Sequence, residues 1–399
     1  MKNKQALMAI ISFFIAISPA FASDGDLDTA FGTGGVVRTL ETGLAGAADV
    51  AIQSDDKIVV VAPKNGDFAV LRFNADGMPD TTFGVGGEVT IDFPDGSVFN
   101  VRQDVPTAVA IAPDGKIVVG GWTNGGLIIP IFDFALARLN TDGGLDTSFG
   151  TGGRVITGFP NAAIDKIFDV AVKANGKIVA AGSTTSGSTV RFAIARYHVD
   201  GSLDTSFAVM GKTTVGWGGG FNEARSVAIQ ADGKIVVAGG EIHNCNGNDV
   251  GYFALARFQI NGTLDASFGA GGKKKTRFAG CQSSPKGEAF ALALQPDGKI
   301  VAAGIPFLTG EEWGVARYSG IDGSLDSTFG TGGKTTVLTA DNGATIGRPG
   351  ATAVNNGNII IGGYGAFFCN DFASANHATL VAWTAAETRM PRLAPITRA

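Results

Sequence analysis

Residues 226–240 read SVAIQADGKIVVAGG, two short apolar runs separated by an Asp-Gly turn. β-Branched residues dominate both runs, and runs of four to seven residues are too short for helices. Because glycine adopts positive φ angles freely, Asp-Gly between two such runs predicts a β-hairpin. The block recurs along the chain, so it decides the fold. Its copies begin at Asp49, Ala108, Asp169, Ser226, Ala291 and, in a weaker form, Ala351.

Two further blocks alternate with the hairpins in a fixed order along the chain. The second, FALARLN at residues 134–140, places alternate side chains on two faces, as a strand does. The third is a glycine-rich turn, L-D-x-x-F-G-x-G-G, followed by a short polar or β-branched run. Each unit of about 60 residues therefore predicts four strands joined by short turns. The phenylalanines of the third block are Phe31, Phe83, Phe149, Phe207, Phe268 and Phe329.

A four-stranded unit repeated in this way predicts an all-β fold, a six-bladed β-propeller of four-stranded antiparallel blades. Neighbouring blades would cover the apolar faces that one sheet cannot bury alone. The first fourth-strand segment, residues 35–38, precedes every hairpin, and the last unit has no fourth strand after it. We therefore expect the N-terminal strand to close the last blade.

Composition excludes several classes of protein. Glycine is abundant, 59 of 399 residues, but without a G-X-Y period, which excludes collagen. A hydrophobic content of 45% is too high for a disordered chain. The net charge is −5 and no basic domain stands out, so nucleic acid is not an expected partner. The run Lys273–Lys275 is better explained as lysines that protect an exposed sheet edge.

The N-terminus predicts a secretory signal peptide over residues 1–22. Lys2 and Lys4 precede a short apolar run, and residues 20–22 read AFA, a cleavage site before Ser23. The mature protein would be secreted or periplasmic, with no later segment long enough to span a membrane. Residues 23–384 are expected to form a single propeller domain, and residues 385–399 a disordered tail.

The three blocks together resemble the bacterial delta-60 repeat. The resemblance covers about residues 27–363, and five of the six units match closely. Departures are local: Asp55-Asp56 stands where D-G is expected, and Ala208 replaces a glycine. The resemblance implies a β-propeller in a secreted or envelope protein. It implies no catalytic residues.

The most regular residues of the repeat favour a structural role. In the second unit they are Gly115 in the hairpin turn, Arg138, and Asp146 and Phe149 of the third block. Asp146 and its copies suit a turn that caps free N–H groups, and a cation ligand is the alternative. Arg138 suits a fork to the Asp of its own blade or to backbone carbonyls, and an anionic ligand is the alternative. We expect the lysine of D-G-K to be solvated.

The irregular segments fall on the opposite face of the predicted disc, where the second strand leads to the third and the fourth to the next blade. Function concentrates on variable loops held by a rigid scaffold. Aromatic side chains there would contact a protein or a glycan, unless they fold back as plugs. The candidate binding residues are Trp122, Trp217, Phe221, Glu241, His243, Phe367 and Phe368.

Cysteine and histidine usage favours a disulfide over metal or catalytic chemistry. Cys245 is expected in the loop between the second and third strands of the fourth unit, and Cys281 in the loop that leaves this unit. A disulfide between them is therefore expected, with Cys369 free. Zinc held by His243 and these two cysteines is the alternative, although it lacks a fourth ligand. The sequence predicts no metal, cofactor or catalytic group. A propeller hydrolase or lyase remains the alternative function, and it would need convergent carboxylates or histidines at the mouth of the central channel.

Overall fold

The computed structural model describes residues 28–39, 42–93, 103–124, 131–218, 220–245, 248–278, 287–306, 312–338, 345–355, 358–368 and 374–383. Within these residues the secondary structure consists of 23 strands and no helix. No helix in this part of the chain is long and apolar enough to cross a membrane. The predicted signal peptide and C-terminal tail lie outside the described residues.

The strands follow the predicted order in six successive units, which we number as blades 1 to 6. The first strands are β1 (Asp49–Ile52), β5 (Val105–Ile111), β9 (Ile164–Val172), β13 (Phe221–Ile229), β17 (Glu288–Leu294) and β21 (Thr345–Asn355). The second strands are β2 (Ile58–Lys64), β6 (Ile117–Asn124), β10 (Ile178–Ser186), β14 (Ile235–Cys245), β18 (Ile300–Ile305) and β22 (Asn358–Phe368). The third strands are β3 (Asp67–Phe73), β7 (Phe132–Leu139), β11 (Thr189–Tyr197), β15 (Asn248–Phe258), β19 (Glu312–Tyr318) and β23 (Ser374–Trp383). The fourth strands are β4 (Glu88–Ile91), β8 (Arg154–Thr157), β12 (Lys212–Val215), β16 (Lys273–Thr276) and β20 (Lys334–Leu338).

Consecutive strands of each blade pair antiparallel, so the prediction of an all-β, propeller-like fold is confirmed. Blade 1 is a separate sheet in the order β1-β2-β3-β4. A single residue pair, Phe132 with Ile164, joins blades 2 and 3 into one eight-stranded sheet. Gly240 and Glu288 join blades 4 and 5 in the same way. Among the described residues, blade 6 has three strands, β21-β22-β23.

The core lies between blades. Each of five apolar clusters combines side chains of one blade with those of the next, from blades 1 and 2 to blades 5 and 6. All six residues of β18 are buried, because a middle strand is covered on both faces. This explains why the second and third strands are continuous apolar runs, whereas the fourth strands alternate with polar residues.

The N-terminal segment packs on the other face of blade 1. Val37 and Leu44 contact the cluster of Ala69, Leu71 and Phe73. The Gly32 amide donates to the Asp76 carbonyl at 2.7 Å. The same bond links each turn to the following blade elsewhere, for example Gly150 to Asp200 at 2.8 Å. The segment therefore takes, on blade 1, the place that the turn of a preceding blade takes on the others.

The segments predicted as irregular loops are partly strand. β14 and β15 form one long hairpin that contains Glu241, His243 and Cys245. Phe367 and Phe368 end β22, Trp122 lies on β6 and Phe221 begins β13. The loop placement of these residues was therefore wrong. Glycines and polar residues suggested turns, but the backbones of β14 and β22 continue their strand pairing through these residues.

Candidate functional site

The first strands lie side by side and form the inner row of the blades. Five of them, in blades 2 to 6, carry a bulge shortly before the repeated motif. The bulge depends on the glycine that ends the second strand's apolar run. A Cβ at Gly239 would lie 1.8 Å from the Glu223 carbonyl oxygen, and one at Gly304 would lie 1.9 Å from that of Glu288. Only glycine admits so close an approach, and it sets the position of the residues before the bulge.

Each of blades 1 to 5 holds an Arg–Asp ion pair beside its glycine-rich turn. In blade 2, Arg138 Nε lies 2.7 Å from Asp146 Oδ2, and Lys116 Nζ lies 2.8 Å from the same oxygen. Burial alone would raise the pKa of Asp146, but hydrogen bonds from Lys116, Ser148 and Arg138 hold it well below its usual range. The lysine expected to be solvated is thus a partner of the carboxylate. The other ion pairs are Arg72–Asp80, Arg196–Asp204, Arg257–Asp265 and Arg317–Asp326.

The same arginine connects its blade to the next one. Arg138 donates through NH1 to the Val199 carbonyl of blade 3, and its guanidinium lies 4.6 Å from the centre of the Phe149 ring. Arg72 makes the matching bond to the Thr141 carbonyl at 2.5 Å. A planar fork of donors suits this role because it satisfies a carboxylate and a carbonyl at once. We call this arrangement the interblade clasp, and it assigns the repeated residues to the frame of the protein.

Half-buried carboxylates also accept hydrogen bonds from the free edge of the inner row. Asp49 accepts a hydrogen bond from the Val109 amide of blade 2 at 2.8 Å, and Asp169 accepts one from the Val227 amide of blade 4 at 2.7 Å. Burial, with the negative charge of Asp49 adding to it, raises the pKa of Asp169 to about 7. Edge amides that no strand can pair are in this way given acceptors by a neighbouring blade.

Charged and aromatic side chains gather where the first strands begin, next to the end of β6. All are half-buried. We call this group the inner-strand cluster; its members are Trp122, Lys166, Phe168, Glu223, Arg225, Glu288 and Phe290.

Cations and rings alternate through the cluster. Lys166 Nζ lies 4.7 Å from the centre of the Trp122 ring, and Trp122 meets Phe168 edge-on at 6.1 Å. The Arg225 guanidinium lies 4.2 Å from Phe168 and 5.7 Å from Phe290. The contacts cross from blade 2 to blade 5. Such cation–ring contacts contribute about 0.5–2 kcal/mol each, and they hold the side chains in place.

The two glutamates of the cluster share one arginine. Arg225 Nε lies 2.5 Å from Glu288 Oε1, and NH2 donates to Glu223. Burial raises the pKa of Glu223; the charge of Arg225 opposes this rise and that of Glu288 adds to it. Lys166, in contrast, makes no ion pair within the described residues. The charge of Lys166 nevertheless acts on Glu223 and lowers its pKa, so the two cations and two carboxylates of the cluster balance. The cluster therefore offers a cation outside any ion pair of the described residues, aromatic surface and a carboxyl that holds its proton more strongly than usual.

A second group of carboxylates lies between blades 1 and 2. One oxygen each of Asp67, Asp92 and Asp104 lies within 4.8 Å of the others, close enough to hold a metal ion. Asp104 is buried and accepts hydrogen bonds from the Phe93 amide at 2.9 Å and the Thr123 hydroxyl at 2.6 Å. Burial, with the charges of Asp67 and Asp92 adding to it, raises the pKa of Asp104 to about 6. Asp104 thus accepts hydrogen bonds from one backbone amide and one hydroxyl group, which is the role of a structural capping residue.

Among the predicted binding residues, the structure brings Trp122 into the inner-strand cluster and places others elsewhere. Glu241 is fully buried, with Lys275 Nζ 3.5 Å from its carboxylate. Trp217 packs edge-on against Phe192 at 4.9 Å. Matching aromatic pairs occur in blades 1, 2 and 4, so this contact of Trp217 belongs to the repeat.

The remaining predicted residues are only partly described. Phe221 is exposed and lies at the start of β13. His243, Cys245, Phe367 and Phe368 are placed as backbone on β14 and β22. Cys281 lies outside the described residues, so the proposed disulfide does too.

Six of the seven residues of the inner-strand cluster were not predicted from the sequence. They occupy the few positions directly before the first repeated block, in IDKIFD at residues 164–169, NEARS at 222–226 and EAF at 288–290. These positions could have been found because the repeat units differ from one another there, whereas the blocks that follow them remain regular.

Comparison with family models supports the propeller-like fold. Five segments match the family model described as a domain of unknown function (DUF5122) beta-propeller, at residues 53–83, 112–149, 173–207, 230–268 and 295–329. No curated protein matches the chain. One similar solved structure is a protein of unknown function from Dyadobacter fermentans, with 13% identity and a TM-score of 0.46, covering 85% of this chain and 95% of that one. Another is a PL25 ulvan lyase bound to a GlcA(1-4)Rha3S saccharide, with 11% identity and a TM-score of 0.48, covering 88% and 85%. A third is the subtype N11 neuraminidase-like protein of A/flat-faced bat/Peru/033/2010 (H18N11), with 11% identity and a TM-score of 0.45, covering 94% of this chain and 95% of that one.

Proposed function

This chain is a β-propeller repeat protein, and we propose that it is a secreted or periplasmic binding or scaffold module that recognises a protein or a glycan. The observation that carries the proposal is the inner-strand cluster. Lys166, Arg225 and two glutamates converge there with partly exposed rings. Binding sites combine aromatic surface with a few polar groups placed by a rigid scaffold, which is the composition of this cluster.

The proposal includes a six-bladed ring of the delta-60 type, closed by the N-terminal strand. Five apolar clusters between consecutive blades support the count. The contact of Val37 with blade 1 supports the closure, because it supplies a sixth cluster at the place where a last blade would pack. Closure also removes the exposed sheet edges of an open stack. The inner-strand cluster would then lie at one mouth of a central channel.

The test compares the wild-type mature protein with Trp122→Ala on a glycan array and in pull-downs from envelope extracts. Trp122 supplies the largest ring of the cluster, so its loss should weaken retention of the ligand at least tenfold. Val85→Ala is the control, since Val85 is an exposed apolar residue of a glycine-rich turn, outside the cluster and outside the predicted binding residues. A ligand bound equally by wild type and Trp122→Ala would contradict the placement of the site. Failure of the wild type to retain anything would contradict the binding function.

The second candidate function is a hydrolase or lyase with Glu223 as its acid. The pKa of Glu223 is raised, and Glu288 lies on the other side of Arg225 as a second carboxylate. A general acid needs a carboxyl that keeps its proton near neutral pH, and glycoside cleavage uses two carboxylates. Time-dependent shortening of a bound oligosaccharide, abolished in Glu223→Gln, would favour this function. Unchanged oligosaccharide after prolonged incubation would exclude it for the sugars tried.

A further inference from the structure

The side chains at the start of the first strands differ from blade to blade, whereas the interblade clasp repeats. The interblade clasp has nearly the same geometry from blade to blade, but the positions that hold Lys166 and Phe168 in blade 3 differ between blades. Blades 4 and 5 have charged or aromatic side chains there. In blade 6 the register makes Gly350 the equivalent of Phe168 in blade 3. In blade 1, Gly46 lies in the matching stretch before the first strand. A Cβ at either glycine would meet nothing within 4 Å. Blades 3 to 5 therefore provide a wall of large side chains, and open space lies at Gly46 of blade 1 and Gly350 of blade 6.

The wall exposes little of its charged surface. The side chains of Glu223, Arg225 and Glu288 expose only 15%, 22% and 17% of their surface. A protein partner needs roughly 800 Å² of accessible surface on each side of a stable interface. Side chains with so little exposed surface contribute little to a flat protein interface, whereas the end of a narrow ligand can reach them. The shape of the site favours a slender ligand such as an oligosaccharide.

The charges select among oligosaccharides. Arg225 pairs directly with two carboxylates, whereas Lys166 lies over the Trp122 ring without an ion pair in the described part of the chain and acts on Glu223 only through its charge. A half-buried cation held by an aromatic ring is poised for an anionic group, because a charge-assisted hydrogen bond is stronger than a neutral one. The rings of Trp122 and Phe168 offer apolar surface to a sugar ring, and Glu223 offers oxygens to its hydroxyl groups.

Resting on the proposed function, we infer that the inner-strand cluster binds the end of an acidic saccharide, whose carboxylate or sulfate pairs with Lys166. The sugar ring lies against Trp122 and Phe168. The space at Gly46 and Gly350 admits the rest of the chain. Lys166 is the specificity-determining residue in this arrangement, and Arg225 keeps the two glutamates in position.

The experiment measures the affinity of the mature protein for three ligands by titration calorimetry: an oligogalacturonate, a sulfated dextran oligomer and a neutral dextran oligomer of similar length. We expect at least one acidic ligand to bind ten times more tightly than the neutral one, and its affinity to fall as NaCl is added. Comparison of the two acidic ligands distinguishes a carboxylate from a sulfate.

Two pairs of variants locate the site. Lys166→Met should reduce the affinity for the acidic ligand at least tenfold and leave that for the neutral one unchanged. Lys274→Met removes the same charge from β16, on an outer fourth strand, and should have no effect. Gly46→Trp fills the open space without touching a charge and should also abolish binding. Gly220→Trp, at another glycine whose Cβ meets nothing, is its control.

The outcomes separate this inference from the proposed function. If the wild type binds a neutral glycan or a protein but no acidic saccharide, the inference is wrong and the proposed function stands. If none of these ligands binds, both are wrong. Acidic binding that is unchanged in both Lys166→Met and Gly46→Trp would place the site elsewhere on the protein. Circular dichroism and thermal melting check that each variant is folded, and Lys166→Gln replaces Lys166→Met if the latter is not.

Discussion

A buried arginine that serves two blades explains why arginine rather than lysine stands in the third strand of each regular unit. Replacing Arg138 with Met should leave the buried Asp146 carboxylate with Lys116 and Ser148 as partners and remove the bond to the Val199 carbonyl. Breaking a buried ion pair costs about 3–5 kcal/mol. We expect the free energy of unfolding, measured in urea, to fall by that amount.

Arg138→Lys is the matched variant for this prediction, because it keeps the charge and loses the fork. It should recover part of the loss, since lysine can reach one partner but not both. If Arg138→Met and the wild type unfold at the same urea concentration, the interblade clasp does not stabilise the frame.

The inner-row carboxylate Asp169 predicts a pH dependence. Its pKa in the folded protein is about 7, against about 3.9 in an unfolded chain. Folding therefore favours the protonated carboxyl, and the stability this contributes is lost as the pH rises from about 4 through 7. Across this window the free energy of unfolding should fall more steeply for the wild type than for Asp169→Asn. Asp104 titrates in the same direction in both chains, so the difference in slope reports on Asp169. Parallel curves would contradict the raised pKa.

At the scale of residues, repetition decided what could be predicted from the sequence. Arg138 and Asp146 were recognised as frame residues because their copies recur at fixed spacing. Lys166 and Glu223 have no such copies, and only the packing of neighbouring first strands brings them together. Lys116 was expected in solvent because its turn is exposed; its long side chain instead reaches back to Asp146.

At the scale of elements, the paired glycines of the second strand connect the repeat to the candidate site. Gly239 lies so close to the Glu223 carbonyl that a Cβ cannot fit. Gly239→Ala should push β13 away from β14 and move Glu223 and Arg225 with it. We expect a loss of about 1–3 kcal/mol in the free energy of unfolding, typical of overpacking, together with weaker ligand binding.

Gly46→Ala is the matched control for this substitution. A Cβ at Gly46 meets nothing within 4 Å, and no positive φ is required there, so the change in stability should stay within about 0.5 kcal/mol. Equal stability of Gly239→Ala and Gly46→Ala would show that the bulge does not need its glycine.

The order of the strands was predictable from short-range patterns, whereas their lengths were not. The hairpin turns and the four-residue fourth strands follow from glycine position and β-branched runs. The extension of β14 and β15 to eleven residues each does not, because residues 241–248, EIHNCNGN, are polar and turn-forming in isolation. Pairing between the two strands outweighs these local preferences, as it commonly does in sheets.

At the scale of the whole molecule, the proposed seam between blade 6 and the N-terminal segment differs from the other junctions. By register, Ala382 stands where blades 1 to 5 have the clasp arginine, and Asn358 stands where they have the lysine. A ring closed here would rely on apolar packing and backbone bonds without the interblade clasp. The seam should therefore be the weakest junction and the first to open.

Deleting residues 23–39 from the mature chain tests the seam directly. The deletion removes Val37 and the Gly32 bond and uncovers Leu71 and Phe73 of blade 1. Losing the burial of one or two large apolar side chains should lower the free energy of unfolding by about 2–4 kcal/mol. A synthetic peptide of residues 26–39 should restore part of the thermal stability, because its binding stabilises only the folded state. Deleting residues 385–399 is the control and should change nothing. A shortened chain as stable as the mature protein, with no response to the peptide, would mean that the N-terminal strand does not close the ring.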